Sequence, residues 1–273
     1  MHYLLLVALG GGAGALGTLI GAGGGFILVP ILLLLYPHES ALTISSISLA
    51  VVLFNATSGS WAYARMGRVD YRSGLVFAAA TVPGAVAGAL TVDYVPRLAF
   101  NAIFGVLMIV VAGYLFTRRK ERTQLRRSPR ARLTVRTVVE KGGATYTYAY
   151  DRRWGVGLSV FVGYLSSLLG IGGGIIHVPA LVRVLHFPVH IATATSQFIL
   201  AIMAFAGTAV HIATGSFSPE SAFRILALGM GAVAGAQGGA RFSTRVRGVW
   251  LLRGLAVALA LVGVRILTMA FGA

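Results

Sequence analysis

Six long stretches of this sequence contain no Asp, Glu, Lys or Arg, and they limit the folds that the chain can adopt. They cover residues 1–38, 40–64, 73–92, 98–117, 154–182 and 184–219. A helix needs about 20 mainly apolar residues to cross a hydrocarbon core roughly 30 Å thick. Several stretches are one span long, and the first and last are closer to two. The pattern predicts an all-α polytopic membrane protein and excludes an ordinary soluble domain.

The distribution of basic residues predicts the orientation of the chain in the membrane. The sequence holds 23 Lys and Arg against only 7 Asp and Glu, a balance that would suggest nucleic-acid binding in a soluble protein. Twelve of the basic residues lie between 118 and 153, and most of the others lie at 65–72 and 241–253. Because cytoplasmic loops are enriched in Lys and Arg, we expect these regions on the inner side of the inner (plasma) membrane. We expect no nucleic-acid partner.

An internal repeat organises the sequence. The segment GAGGGFILVP at 21–30 recurs as GIGGGIIHVP at 170–179, and residues 83–89 line up with residues 230–236. The offset stays between 147 and 149 residues, which indicates a duplicated half. The predicted division is a first transmembrane repeat at 1–117, a basic linker at 118–153 and a second transmembrane repeat at 154–273.

Each repeat is predicted to contain one glycine-broken helix followed by three spanning helices. The loop after the second segment is basic in the first repeat, but the matching loop at 214–220 holds only Glu220. Matching loops on opposite sides would give inverted-topology repeats with both termini outside. The predicted segments are 3–20 with 26–36, 41–61, 73–91 and 98–116, then 154–169 with 175–186, 190–213, 221–240 and 248–269.

The linker contains a predicted β-hairpin. Residues 132–139 alternate in polarity, residues 144–150 form a β-prone run rich in Thr and Tyr, and a Lys-Gly-Gly turn separates them. We expect a small cytoplasmic hairpin. The alternative is a disordered basic loop held near anionic lipid headgroups.

The two glycine triplets form the core of the predicted substrate site. Each glycine weakens a helix by about 1 kcal/mol relative to alanine, and backbone groups freed in lipid must find partners or line a cavity. Short helices that begin at Phe26 and Ile175 would present bare N–H donors to an anion. The alternative is that the glycines only allow close helix packing. The candidate residues are Gly23, Gly24, Gly25, Phe26, Gly172, Gly173, Gly174 and Ile175.

Polar side chains inside the predicted spans complete this site. The matched pair Ser48 and Ser196 could contact the substrate, or each hydroxyl could bond to its own helix. His177 and His211 could each carry a proton or donate to an anionic oxygen, or be neutral, satisfied core residues. The candidate side chains are Ser48, Asn55, His177, Thr195, Ser196 and Gln197.

No enzyme is predicted from these residues. The chain has no cysteine, no recognisable hydrolase, metalloprotease or P-loop motif, and no carboxylate pair within its apolar segments. We expect no catalytic residue, no metal and no cofactor. A carrier is the main hypothesis, with an anion channel as the alternative. Two alternatives rank below both of these: an intramembrane enzyme that uses His177 or His211, and a membrane anchor that acts through the linker.

With its two Gly-x-Gly-Gly-Gly-x4-Pro motifs, the chain resembles the TauE/SafE family of sulfite and organosulfonate exporters. The resemblance covers about residues 10–116 and 154–270 and also rests on the Ala-Thr-Ser stretch at 194–196 and the loop at 67–72. It implies a secondary transporter that exports small sulfur-containing anions such as sulfite, sulfonates or thiosulfate. Inverted repeats with broken helices are typical of alternating access. The expected partners are a small anionic substrate and the lipid bilayer, with a homodimer left open.

Overall fold

The computed structural model of the protein describes residues 2–116, 133–243 and 248–271. These ranges form ten α-helices and one two-stranded sheet. The first half contains α1 (His2–Ile20), α2 (Gly25–Leu35), α3 (Ala41–Arg65), α4 (Tyr71–Thr91) and α5 (Arg97–Phe116), with a short 3-10 turn at Val92–Tyr94. Next come β1 (Leu133–Val139) and β2 (Thr145–Asp151), followed by α6 (Arg152–Leu169), α7 (Gly174–Arg183), α8 (Val189–Ala213), α9 (Pro219–Phe242) and α10 (Gly248–Phe271).

The mainly helical architecture predicted from the sequence is confirmed. Five segments of the described chain are long and apolar enough to cross a membrane, namely Tyr3–Ile20, Ala41–Arg65, Tyr71–Tyr94, Arg97–Tyr114 and Val189–Ala213. The helices α2 and α7 have only 11 and 10 residues, so neither can span a bilayer alone. The largest difference from the predicted bounds is in α3, which continues to Arg65 instead of ending at residue 61.

The predicted hairpin in the linker is also confirmed. Strands β1 and β2 pair antiparallel, with Leu133 opposite Asp151 and Val139 opposite Thr145. The turn between them is closed by a hydrogen bond from the Glu140 amide to the Ala144 carbonyl at 2.9 Å. Residues 118–132, the first part of the predicted linker, lie outside the described residues.

Helices pack mainly across the two halves of the chain. The helix α1 lies along α9, α6 lies along α4, α3 lies along α8, and α5 lies along α10. Glycines line two of these contacts: a Cβ added to Gly231 would lie 2.0 Å from the Val7 carbonyl oxygen, and one added to Gly84 would lie 2.1 Å from that of Val160. Small residues therefore allow close backbone approach at both contacts, as expected for helices packed in lipid.

Candidate functional site

The short helices α2 and α7 begin without side-chain caps. Most helix starts whose caps are described use a polar side chain, as where Ser40 Oγ accepts from the Thr43 amide and Ser218 Oγ from the Ser221 amide. In contrast, α2 and α7 have Gly24 and Gly173 at the N-cap, with φ of 79° and 70° and no capping hydrogen bond. These left-handed angles favour glycine.

Most of the first amides of both helices lack protein acceptors, the exception being the Gly174 amide, which donates to the Gly172 carbonyl at 2.9 Å. Within the described residues, no hydrogen bond uses the N–H of Gly24, Gly25 or Phe26, while the next two amides of α2 already donate to the Gly24 carbonyl. In the second half the same is true of the N–H groups of Gly172, Gly173 and Ile175. All six residues are buried. Two helix N-termini with unsatisfied donors and partial positive charge therefore lie inside the protein.

The two glycine segments contact each other directly. A Cβ added to Gly25 would lie 2.5 Å from the Gly170 carbonyl oxygen, and one added to Gly174 would lie 2.2 Å from that of Gly21. Both obstacles are backbone atoms of the opposite half. The start of α2 therefore lies against the segment before α7, and the start of α7 lies against the segment before α2.

Ser48 and Ser196 connect each long helix to the opposite glycine segment. Ser48 Oγ donates to the Gly170 carbonyl at 2.7 Å, and Ser196 Oγ donates to the Gly21 carbonyl at 2.9 Å. Neither hydroxyl bonds to its own helix, which was the alternative considered from the sequence. Both serines are fully buried, so each hydrogen bond satisfies a carbonyl that the helix ends leave open.

Val52 and Leu200 are apolar residues of the site that sequence reasoning missed. A Cβ on Gly172 would lie 2.7 Å from Val52 Cγ1, and one on Gly23 would lie 2.7 Å from Leu200 Cδ2. The two residues follow Ser48 and Ser196 by four positions, so each lies on the same helix face as its serine. This matched spacing was present in the sequence and could have identified them.

Asn55 and Gln197 both donate hydrogen bonds to carbonyls of α1. Asn55 Nδ2 donates to the Gly14 carbonyl at 2.9 Å, and Asn55 Oδ1 accepts from Thr18 Oγ1 at 3.1 Å. Gln197 Nε2 donates to the Gly17 carbonyl at 3.3 Å, and its Oε1 has no hydrogen-bond partner among the described residues. Asn55 therefore fixes α1, whereas Gln197 retains one unused acceptor.

His177 and Thr195 occupy the edges of the predicted site. His177 is buried one turn into α7, with Nε2 3.4 Å from Ser159 Oγ, and in the described part of the chain its Nδ1 has no partner. Thr195 Oγ1 accepts a hydrogen bond from the Asp70 amide at 3.1 Å. Thr195 therefore links α8 to the α3–α4 loop. Phe26 and Ile175 are buried in the main apolar cluster.

The hairpin is attached to the α3–α4 loop through the buried carboxylate of Asp70. Arg136 of β1 forms a salt bridge to Asp70 at 2.8 Å, and the Tyr148 hydroxyl donates to the same carboxylate at 2.7 Å. Burial raises the pKa of Asp70, but hydrogen bonds from Arg136, Ser73 and Tyr148 outweigh it and hold the pKa below its usual value. Burial and the Asp70 charge raise the pKa of Tyr148, which stays a neutral donor.

The hairpin also packs against the second half of the chain. Tyr148 and Tyr150 lie against Phe187, with ring centroids 4.4 and 5.2 Å apart, and share a buried cluster with Leu181 and Leu185. Because Asp70 belongs to the first half and Phe187 to the second, the hairpin bridges the two halves on one face of the protein.

A second ion-pair cluster joins the halves elsewhere. Arg224 of α9 contacts Glu39, in the α2–α3 loop, at 2.8 Å and also pairs with Glu220. Its guanidinium stacks over Tyr36 at 4.0 Å. Among the described residues, Asp70 and Arg224 are the buried Asp, Glu, Lys or Arg side chains, and both are paired. Within the described residues, none of the atoms nearest to the glycine segments belongs to an Asp, Glu, Lys or Arg side chain.

This geometry defines a class of protein. Apolar helices long enough to span a bilayer surround two uncapped helix starts that meet inside the chain, and the described residues hold no group of three potential metal ligands. The long apolar helices are those of a multi-pass membrane protein. The chain belongs to the sulfite exporter TauE/SafE family, which matches residues 6–266.

Relatives of the chain carry transporter names as well. It is 32% identical over 273 residues to the probable membrane transporter protein YunE of Bacillus subtilis, covering 98% of both chains. It is 24% identical over 251 residues to the probable membrane transporter protein YdhB of Bacillus subtilis, covering 91% of this chain and 93% of the relative. It is also 24% identical over 208 residues to the probable membrane transporter protein MJ0441 of Methanocaldococcus jannaschii, covering 74% and 70%. No solved structure matches the chain. Family and relatives identify a transporter and not an enzyme.

Proposed function

We propose that the protein is a secondary transporter that exports small sulfur-containing anions, such as sulfite, sulfonates or thiosulfate, by alternating access. One observation carries the proposal: two uncapped helix N-termini, one from each half, meet in a buried contact. Such N-termini bind anions through backbone N–H groups and the helix dipole. The family name, sulfite exporter, supports the substrate class and the direction.

The chemistry of the contact suits an anion with several oxygen acceptors. The free amides at residues 24–26 and at 172, 173 and 175 could replace the water that such an anion loses. Among the described residues, none of the atoms nearest to these glycines belongs to a lysine or arginine, so the anion would be held by dipoles and would be released more easily than from an ion pair. In this proposal Ser48 and Ser196 are positioning residues, because their hydroxyls hold the glycine segments in place.

Inverted repeats are supported by contacts that occur twice. Ser48 bonds to the second glycine segment, and its matched residue Ser196 bonds to the first. The pairing of α1 with α9 is likewise matched by that of α6 with α4. Inverted repeats would let each half adopt the conformation of the other, which is the basis of alternating access.

The proposed orientation places the hairpin in the cytoplasm and both termini outside the plasma membrane. It rests on the basic residues at 65–72 and in the linker, which meet where the Lys141 amide donates to the Met66 carbonyl at 3.1 Å. The Glu39, Glu220 and Arg224 cluster then lies outside. Contacts thus join the halves on both faces, through the hairpin on one face and through the Arg224–Glu39 ion pair on the other, which fits an occluded state in which each cluster opens in turn. The binding groups all come from one chain, so the proposal needs no second copy.

Flux into proteoliposomes tests the proposal. We expect saturable transport of sulfite, sulfoacetate or taurine that a preloaded anion on the other side accelerates, and no such transport of chloride or sulfate. Gly24→Leu combined with Gly173→Leu should abolish it, since both residues have left-handed φ. Gly12→Leu is the matched control, because a Cβ at Gly12 meets no atom within 4 Å. Transport that survives the double substitution in folded protein would contradict the site, and flux without saturation or exchange would indicate a channel.

A further inference from the structure

Four buried polar side chains between α6 and α8 lack hydrogen-bond partners within the described part of the chain. They are Ser166, Ser167, Thr208 and His211, which we call the polar file. Their atoms without partners are both serine Oγ atoms, Thr208 Oγ1 and both ring nitrogens of His211. Each residue is at least nine-tenths buried. An unsatisfied buried polar group costs about 1–3 kcal/mol, so several together call for a polar species that contacts them.

The polar file leads away from the second glycine segment. A Cβ on Gly173 would lie 2.2 Å from Ser166 Oγ, so this hydroxyl is beside the N-cap of α7. The adjacent Ser167 Oγ lies beside Gly207, where a Cβ would be 2.6 Å away. Thr208 follows Gly207, and His211 is one helical turn farther along α8 on the same face as Thr208.

The other end of the polar file reaches the loop that joins α8 to α9. The His211 carbonyl accepts a hydrogen bond from the Ser216 amide at 2.9 Å, and the His211 ring lies 6.3 Å from that of Phe217. The file therefore extends from the centre of the proposed site to the loop at 214–218.

Two of the matched positions in the first half are hydrogen-bonded. At the repeat offset, Ser167 matches Thr18 and His211 matches Tyr63. Thr18 Oγ1 donates to Asn55 Oδ1 at 3.1 Å, and the Tyr63 hydroxyl donates to the Thr18 carbonyl at 2.9 Å. The fold can thus satisfy polar groups at these positions, and the second half leaves them open.

We propose that the polar file is a second binding station for the transported anion, lying between the glycine segments and the face that carries loop 214–218. The hydroxyls and the imidazole N–H supply donors for anionic oxygens, and water occupies them when the anion is elsewhere. The station rests on the proposed function and extends it. It gives the substrate a hydrated path on one side of the site, built from the second half alone.

Matched threonine substitutions in the full-length protein test the station. Thr208→Val removes a hydroxyl without a partner, whereas Thr81→Val removes a buried one that donates to the Ala78 carbonyl at 2.7 Å. We expect Thr208→Val to raise the half-saturating sulfite concentration about tenfold, because a hydrogen bond to a charged group is lost, without lowering Tm. Thr81→Val should leave that concentration unchanged. If Thr208→Val leaves the half-saturating sulfite concentration unchanged, the proposed second binding station is wrong.

Cysteine labelling gives a readout independent of transport. The chain has no native cysteine, so His211→Cys and its matched control Tyr63→Cys can each be labelled alone. A membrane-impermeant thiol reagent should label His211→Cys from the side of loop 214–218 much faster than it labels Tyr63→Cys from either side. Resistance of His211→Cys would exclude a hydrated path and overturn the inference. If wild-type protein moves no anion but His211→Cys is labelled, the proposed function fails and the hydrated path stands.

Discussion

Replacing Gly174 with alanine tests whether the two glycine segments are in direct backbone contact. Gly174 has no left-handed φ, so alanine meets only a steric obstacle there. Its Cβ would lie 2.2 Å from the Gly21 carbonyl oxygen, well below the 3.0 Å that real Cβ atoms keep. The backbone on both sides cannot rotate away as a side chain could, so the two glycine segments must move apart. Overpacking of this kind lowers the free energy of unfolding by about 1–3 kcal/mol. Gly25→Ala should behave alike, because its Cβ would lie 2.5 Å from the Gly170 carbonyl oxygen.

Gly157→Ala in α6 is the matched control. A Cβ there meets no atom within 4 Å, and alanine in a helix gains up to about 1 kcal/mol over glycine. Thermal unfolding in detergent should therefore show a lower Tm for Gly174→Ala and an equal or higher Tm for Gly157→Ala. The free energies of unfolding should differ by about 2 kcal/mol or more. Equal Tm values would refute the direct backbone contact between the two glycine segments.

Two further predictions concern hydrogen bonds between the halves. Ser48→Ala and Ser196→Ala should each lower the free energy of unfolding by about 1–3 kcal/mol, since each leaves a buried carbonyl unpaired. Ser46→Ala is the control and should not lower it, because the Ser46 hydroxyl bonds to its own helix. Equal effects of all three in thermal unfolding would contradict this. The depressed pKa of Asp70 stabilises the fold above the unfolded-state value of about 4, and this stabilisation is lost as the pH falls through the folded-state pKa. Unfolding midpoints from pH 7 to 3 should fall less in Asp70→Asn than in wild type, and identical profiles would show that Asp70 does not contribute.

The helices and the hairpin could be predicted because their signals are local. Uncharged apolar runs predicted the long helices, and alternation around a Gly-Gly turn predicted β1 and β2. The triplets predicted the starts of α2 and α7 to within one residue, since glycine readily adopts the left-handed φ found at Gly24 and Gly173. The end of α3 was placed four residues early, because its last turn is held by tertiary contacts.

Contacts between distant residues could not be predicted. The sequence paired Ser48 with Ser196 but did not show that each donates to the other half, 122 and 175 residues away. Asp70 gave no signal for its attachment to the hairpin, because its partners Arg136 and Tyr148 come from a linker whose docking depends on the whole fold. The hydrogen bond from Asn55, a candidate ligand, to the Gly14 carbonyl of α1 was likewise not predicted.

Substrate protection of two introduced cysteines tests the central claim most directly. Val52→Cys and Leu200→Cys place single thiols beside the glycine segments of a chain that has no native cysteine. With alternating access around an anion held there, an impermeant reagent should label each thiol from both sides of the membrane, and sulfite should protect both. Thr214→Cys, in an exposed loop, should be labelled without protection. Labelling from one side alone would contradict alternating access, and labelling that sulfite does not slow would contradict an anion site between the two glycine segments.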